Sequence, residues 1–138
     1  MQINFVGLVA AFAVFLGIWW GHVAVRKIEA ISGRLWPPIL GAILLGIIFE
    51  IFAARTESIN LSAACGIIGM TLLWDAFEFY RQQKRVKNGH APANPNNSRH
   101  AQILAEYPEA TTIDLLKRSP RGREYSAEEV AAMKASVE

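Results

Sequence analysis

The chain has 138 residues, 52% of them hydrophobic, with 14 basic and 12 acidic residues and a formal net charge of +2. So small and scattered a charge excludes an electrostatic case for nucleic-acid binding. A single cysteine, Cys65, excludes an intramolecular disulfide and a cysteine-based zinc site.

The average conceals two unlike regions. Residues 1–80 carry four of the basic residues (Arg26, Lys27, Arg34, Arg55) and five of the acidic ones (Glu29, Glu50, Glu57, Asp75, Glu78). Three apolar stretches fill that region: Ile3 to Val25, Leu35 to Ala54 and Ile59 to Tyr80. Each supplies the roughly 20 helical residues that a bilayer crossing needs. Each is apolar nearly all round, where a helix of a soluble domain keeps a polar face. The expected fold is all-α: an integral membrane three-helix bundle over residues 1–87, a linker over 88–98 and a partly helical soluble tail over 99–138.

The first stretch has no Lys or Arg before Arg26 and exceeds the ~7–15 residues of a signal-peptide apolar region, so it reads as a retained span. Gly17 and Gly21 form a GxxxG pair suited to close helix approach. His22 stands near the end of this span, where a histidine can ligate haem iron or relay a proton. The other histidines, His90 and His100, lie in the tail, so haem would lack a second intramembrane ligand. A structural His22, hydrogen-bonded to Glu29 or Glu78, is the plainer expectation.

Ser32-Gly33 marks the break after the first span, and Pro37-Pro38 opens the second, where missing N–H groups cost little. Inside the second span stands Glu50. An ionisable group there raises a functional question. It is either a boundary carboxylate paired with Arg55 or a proton- or cation-handling group. The segment from Ala54 to Ile59 is short enough to force an antiparallel hairpin, with Asn60 or Ser62 as the next helix cap.

In the third span Asp75 and Glu78 share a face, preceded by Trp74 and followed by Arg81, Gln82 and Arg85. They read as a charged stripe where the helix leaves the bilayer, or as a contact face for Arg26 and Lys27.

Positive charge marks the cytoplasmic side. The connector after the first span carries Arg26, Lys27 and Arg34 against Glu29. The segment after the third carries Arg81, Lys84, Arg85 and Lys87. Three spans put both on one side, so the N-terminus is expected outside and the C-terminus in the cytoplasm. Trp19, Trp20, Trp36 and Tyr80 fall where interfacial aromatics belong.

Residues 88–98 are rich in turn formers, as a linker is. Beyond it, Ser98 can cap a helix to Glu106, Thr112 one to Arg118, and Ser126-Ala-Glu-Glu129 opens one to Val137. Ser119 to Arg123 is an exposed basic turn. The tail has too few large apolar residues for its own core and is expected to be flexible or laid against a partner.

Two groups of residues carry a resemblance. One is His22, Lys27, Glu29, Gly33 and Trp36. The other is Leu73-Trp74, Glu78, Gln82, Arg85-Val86, Gly89, Pro92 and Asn94-Pro95. Over residues 1 to about 95 the chain resembles small, uncharacterised bacterial membrane proteins classed as a domain of unknown function, each with three predicted spans. It departs in having Val23 where they tend to have Pro, and in extending about forty residues further. The resemblance implies a multi-pass location in a bacterial cytoplasmic (inner) membrane and a three-span fold, and no activity.

No Ser/His/Asp set, phosphate loop or metal-ligand cluster stands out, so no enzyme activity, cofactor or metal is expected. The leading expectation is a structural, anchoring or accessory subunit of a larger membrane complex. Its partners would be the lipid bilayer, other membrane subunits or a second copy, and a cytoplasmic protein docked on the tail. One alternative is a small homo-oligomeric transporter or ion-conducting protein using Glu50. Another is a membrane redox anchor using His22.

Overall fold

The computed structural model describes residues 4–114 together with Lys117 and Glu128. Regular structure among them is entirely helical: α1 (Val6–Ile31), α2 (Trp36–Arg55), α3 (Ile59–Lys87) and α4 (Ser98–Glu106). The all-α expectation therefore holds. At 1.5 Å per residue the first three are about 39, 30 and 43 Å long, against a hydrocarbon core of about 30 Å. All three are long and apolar enough to cross a membrane. Leu8, Phe12, Phe15, Leu44, Ile48 and Ile51 point outward and are exposed. That arrangement suits a lipid surround, because in lipid only the backbone must be satisfied internally, and helices do this.

α3 is the central element, packed along both α1 and α2. α1 runs past Val25 to Ile31 and α3 past Tyr80 to Lys87. Both extensions are built from good helix formers (Arg, Lys, Ile, Glu, Ala, Gln), and the chain meets its first breakers only at Ser32-Gly33 and Asn88-Gly89.

The helix boundaries follow local chemistry. Ser32 Oγ donates to the Ile28 carbonyl at 2.6 Å and closes α1. Pro37 and Pro38 occupy the first turn of α2. The cap of α3 is Ser58, whose hydroxyl accepts from Leu61 N–H at 3.4 Å, rather than Asn60 or Ser62. Ser62 instead donates to the Ala53 carbonyl at 2.9 Å and ties the α2–α3 hairpin. Asn97, not Ser98, caps α4, accepting from Arg99 N–H at 3.0 Å.

Two apolar clusters lie at the end of the bundle that carries the α1–α2 connector. Val25, Ala42, Ala76 and Phe79 join the three long helices, with Leu35, Ile39 and Ile43 packed on them. Beyond them, Val86, Ala91, Ala93 and Ile103 bury one another, flanked by Leu104, Tyr107 and Ala110. This second cluster fastens residues 88–110 to the bundle, so α4 lies against the chain's own helices. Gly89 makes the turn possible: its φ is +69°, and the carbonyl of Glu109 occupies the space a side chain there would need. Ala93 N–H donates to the Thr111 carbonyl at 2.8 Å, and Lys87 Nζ donates to Tyr107 Oη at 2.9 Å.

Thr112, Ile113 and Asp114 are not helical. The rest of that expected helix, the Ser119 to Arg123 turn and the Ser126 to Val137 helix lie outside the described residues, Lys117 and Glu128 apart.

Candidate functional site

The connector end of the bundle concentrates the polar chemistry. α1 ends with carbonyls that no intrahelical N–H can reach, and no basic residue stands in its last turn. Donors come from some 65 residues further along the chain. Arg99 Nη2 donates to the Glu29 carbonyl at 2.6 Å, and Arg99 Nε to that of Ser32 at 3.1 Å. Asn94 Nδ2 and Asn97 Nδ2 each donate to the Ala30 carbonyl at 3.0 Å, and Asn97 also reaches Ser32.

The centre of this closure is a buried ionic group. Glu29 is 1% exposed and His100 0%. Arg99 Nη1 lies 2.9 Å from Glu29 Oε1 as an ion pair without hydrogen-bond alignment. The backbone N–H of Asn94 donates to His100 Nδ1 at 2.8 Å. An amide N–H can only donate, so Nδ1 is unprotonated and Nε2 carries the hydrogen. Nε2 then donates to Glu29 Oε1 at 3.0 Å. Its 3.1 Å approach to Arg99 Nη2 is a contact between two donors.

One turn deeper, a cleft of about 230 Å³ opens between α1 and α3. Ile18, Val25 and Trp74 form its apolar walls, and His22, Arg26 and Asp75 its polar ones. Gly21 lets Asp75 in: a β-carbon on Gly21 would lie 2.6 and 2.7 Å from the two carboxylate oxygens. Gly17, a turn earlier, makes the same kind of room for Thr71, whose Oγ1 would lie 3.0 Å from a β-carbon there. The GxxxG pair therefore faces α3. Glu78, at the rim, is buried and bonded to Arg81 at 2.7 Å and to Arg85, which also holds Gln82 at 2.8 Å. Glu78, Arg81, Gln82 and Arg85 of the stripe are thus paired with one another along α3, with Arg81 exposed, and Asp75 stands outside that pairing.

Arg26 and Lys27 do not meet those carboxylates. Arg26 Nη2 lies 3.7 Å from Asp114. Lys27 is exposed and lines a second cleft, of about 450 Å³, with His22, Asp114 and Lys117. His22 is exposed and makes no hydrogen bond among the described residues; the partner of Glu29 is His100. Trp74 is exposed and stacks edge-on against Phe77.

Glu50 stands apart from this end. It faces α3, and a β-carbon on Gly69 would lie 2.7 Å from its Oε1. Glu50 stands five residues, about 7.5 Å, from the end of α2, and its carboxyl turns inward along the α2–α3 contact toward Gly69. Its Oε1 is buried with no hydrogen-bond partner. The expected pairing with Arg55 does not form, because five residues place Arg55 about 140° around the helix from Glu50.

The roles of Asn94, Asn97, Arg99 and His100 escape a sequence reading because Asn94 and Asn97 fall in a stretch that reads as linker, and Arg99 and His100 open a short helix with no partner in view. The available signal is the shortage at the other end: a helix closing without a basic last turn leaves carbonyls for carboxamide and guanidinium donors.

Residues 4–97 match the model of a family described as a domain of unknown function, DUF4491. No curated protein and no solved structure matches the chain.

Proposed function

The chain belongs to the DUF4491 family, a domain of unknown function, and we propose that it acts as an anchoring or accessory subunit of a larger complex in the bacterial cytoplasmic membrane. In this reading the N-terminus lies outside. α4 and residues 107–114 form a cytoplasmic platform. The observation that carries the proposal is the closure of α1 by Asn94, Asn97, Arg99 and His100. A buried ionic group at a helix end favours one arrangement of a segment too small to fold alone. Rigid placement of that segment at the membrane surface is what a docking arm requires. The exposed apolar flanks of α1 and α2 leave room for neighbouring membrane helices.

The test is a gentle-detergent pull-down of the tagged full chain from its native membrane, with mass spectrometry of the eluate. Stoichiometric partner subunits, lost on Glu29→Ala, are the expected result. A lone monomer in wild-type eluates overturns the proposal.

A second reading rests on Glu50: a small homo-oligomeric transporter or ion-conducting protein. The unpartnered carboxylate oxygen buried between α2 and α3 favours it. Glu50→Gln then abolishes flux in proteoliposomes, and unchanged flux removes Glu50 from the mechanism.

A further inference from the structure

We propose that the cleft between α1 and α3 binds the headgroup of an aminophospholipid, its primary ammonium held by Asp75 and its phosphate by Arg26. The proposal does not depend on whether the chain is an accessory subunit.

The cleft lies at the right depth. Trp74 lines it, Trp19 and Trp20 lie in sequence between its lining residues Ile18 and Gly21, and all three are exposed; exposed tryptophans of membrane helices gather at headgroup level. Ile18, Val25 and Trp74 offer an apolar wall along which acyl chains can run, while the charged groups line the same space. Its volume of about 230 Å³ is several times the ~30 Å³ share of one water.

Its chemistry is that of a zwitterion site. No hydrogen bond or salt bridge holds Asp75 among the described residues, and His22 and Glu78 are the charged or titratable groups that act on it. Gly21 packs against it, so the carboxylate is set in place by the helix contact while its acceptors stay unused. Glu78, the other acid of the cleft, is already taken by Arg81 and Arg85. Asp75 is therefore the carboxylate left to receive donors, and a primary ammonium brings three. On the facing wall, Arg26 is tied only loosely, 3.7 Å from Asp114. A guanidinium has five N–H donors in a fork that fits phosphate. His22 adds a ring beside it with no hydrogen bond of its own among the described residues. Two carboxylates and two guanidiniums (Asp75, Glu78, Arg26, Arg85) balance. A balanced cleft suits a headgroup carrying both charges. A basic pocket would suit an anionic lipid.

Native mass spectrometry of the detergent-solubilised full chain tests this directly. The probes are phosphatidylethanolamine, its N,N-dimethyl derivative, phosphatidylcholine and phosphatidylglycerol. Stepwise methylation keeps the charge and removes N–H donors. Phosphatidylethanolamine should bind roughly tenfold more tightly than phosphatidylcholine, with the dimethyl lipid between them. Asp75→Asn should erase that order, and Arg26→Gln should weaken all phospholipids alike. Equal binding of the first and third lipids by the wild-type chain, which needs no variant to fold, overturns the proposal. So does a preference for phosphatidylglycerol. Competition by soluble phosphoethanolamine at equal concentration assigns the cleft to a soluble ligand and overturns the lipid assignment.

Discussion

His100 Nε2 lies 3.0 Å from Glu29 Oε1, across 71 residues of sequence, with both side chains buried. This contact, with the 2.9 Å approach of Arg99, fixes α4 on the end of α1. Removing one member of a buried ionic set leaves the others without compensation and costs roughly 3–5 kcal/mol. Glu29→Ala should therefore undock α4 rather than unfold the three long helices, because local opening is the cheaper response. At about 3 kcal/mol, the opening equilibrium rises on the order of a hundredfold. Tryptic cleavage at Arg99 should accelerate by that order while far-UV helicity falls only slightly. Unchanged cleavage would mean that the apolar cluster around Ile103 holds α4 alone.

The glycines divide by what faces them. A β-carbon on Gly46 would lie 2.7 Å from Leu73 Cγ and 3.0 Å from the Gly69 carbonyl, which is backbone and cannot swing aside. Gly46→Ala should push α2 from α3 and lower stability by about 1–3 kcal/mol. Gly7 and Gly41 have nothing within 4 Å. Alanine there should be neutral or stabilise by up to ~1 kcal/mol through helix propensity. Unfolding titrations in mixed detergent micelles measure all three. Equal effects at Gly41 and Gly46 would contradict the α2–α3 packing.

The spans, the GxxxG contact and the Pro37-Pro38 start are legible in the sequence because each rests on a local signal: apolar length, small-residue spacing or a missing N–H. The closure of α1 is not. It joins Glu29 to His100 through groups that look like loop residues, and nothing local to residues 94–100 announces that an acceptor-rich helix end lies above them. Glu50 is legible as a residue needing explanation, but its orientation is not. Spacing alone permits an approach to Arg55, and only the packing of α2 on α3 turns the carboxyl toward Gly69. Cap positions shift by one to four residues for a related reason: Ser58, Asn60 and Ser62 are all competent caps, and backbone geometry chooses among them.

Glu50 carries a buried oxygen without a hydrogen bond, against a backbone made close by Gly69. Such a group lowers stability by about 1–3 kcal/mol relative to an apolar one of similar size. Glu50→Met should therefore raise the unfolding midpoint. A gain of stability on removing a carboxylate would mark Glu50 as kept for something other than folding. A loss would show that the carboxyl has a structural partner, and would withdraw the support for the ion-handling reading.

The proposed orientation rests on the difference between two short connectors. The α1–α2 side holds Arg26, Lys27 and Arg34 against Glu29, while the α2–α3 loop holds Arg55 against Glu57. Acidic residues contribute little to this bias, so the contrast is three basic residues against one, reinforced by Lys84, Arg85 and Lys87 at the end of α3. A C-terminal fluorescent-protein fusion should glow and a C-terminal alkaline phosphatase fusion should be inactive, since the first folds in the cytoplasm and the second needs an oxidising compartment. Moving the charge should move the protein. Lys27→Gln and Arg34→Gln combined with Glu57→Lys and Ser58→Lys reverses the contrast between the loops. It should shift a measurable fraction of chains to the opposite orientation, with the basic end of α3 resisting full inversion. An active phosphatase fusion on the unmodified chain would place α4 outside the cell and remove the cytoplasmic docking arm from the proposed function, while leaving the headgroup cleft where it is.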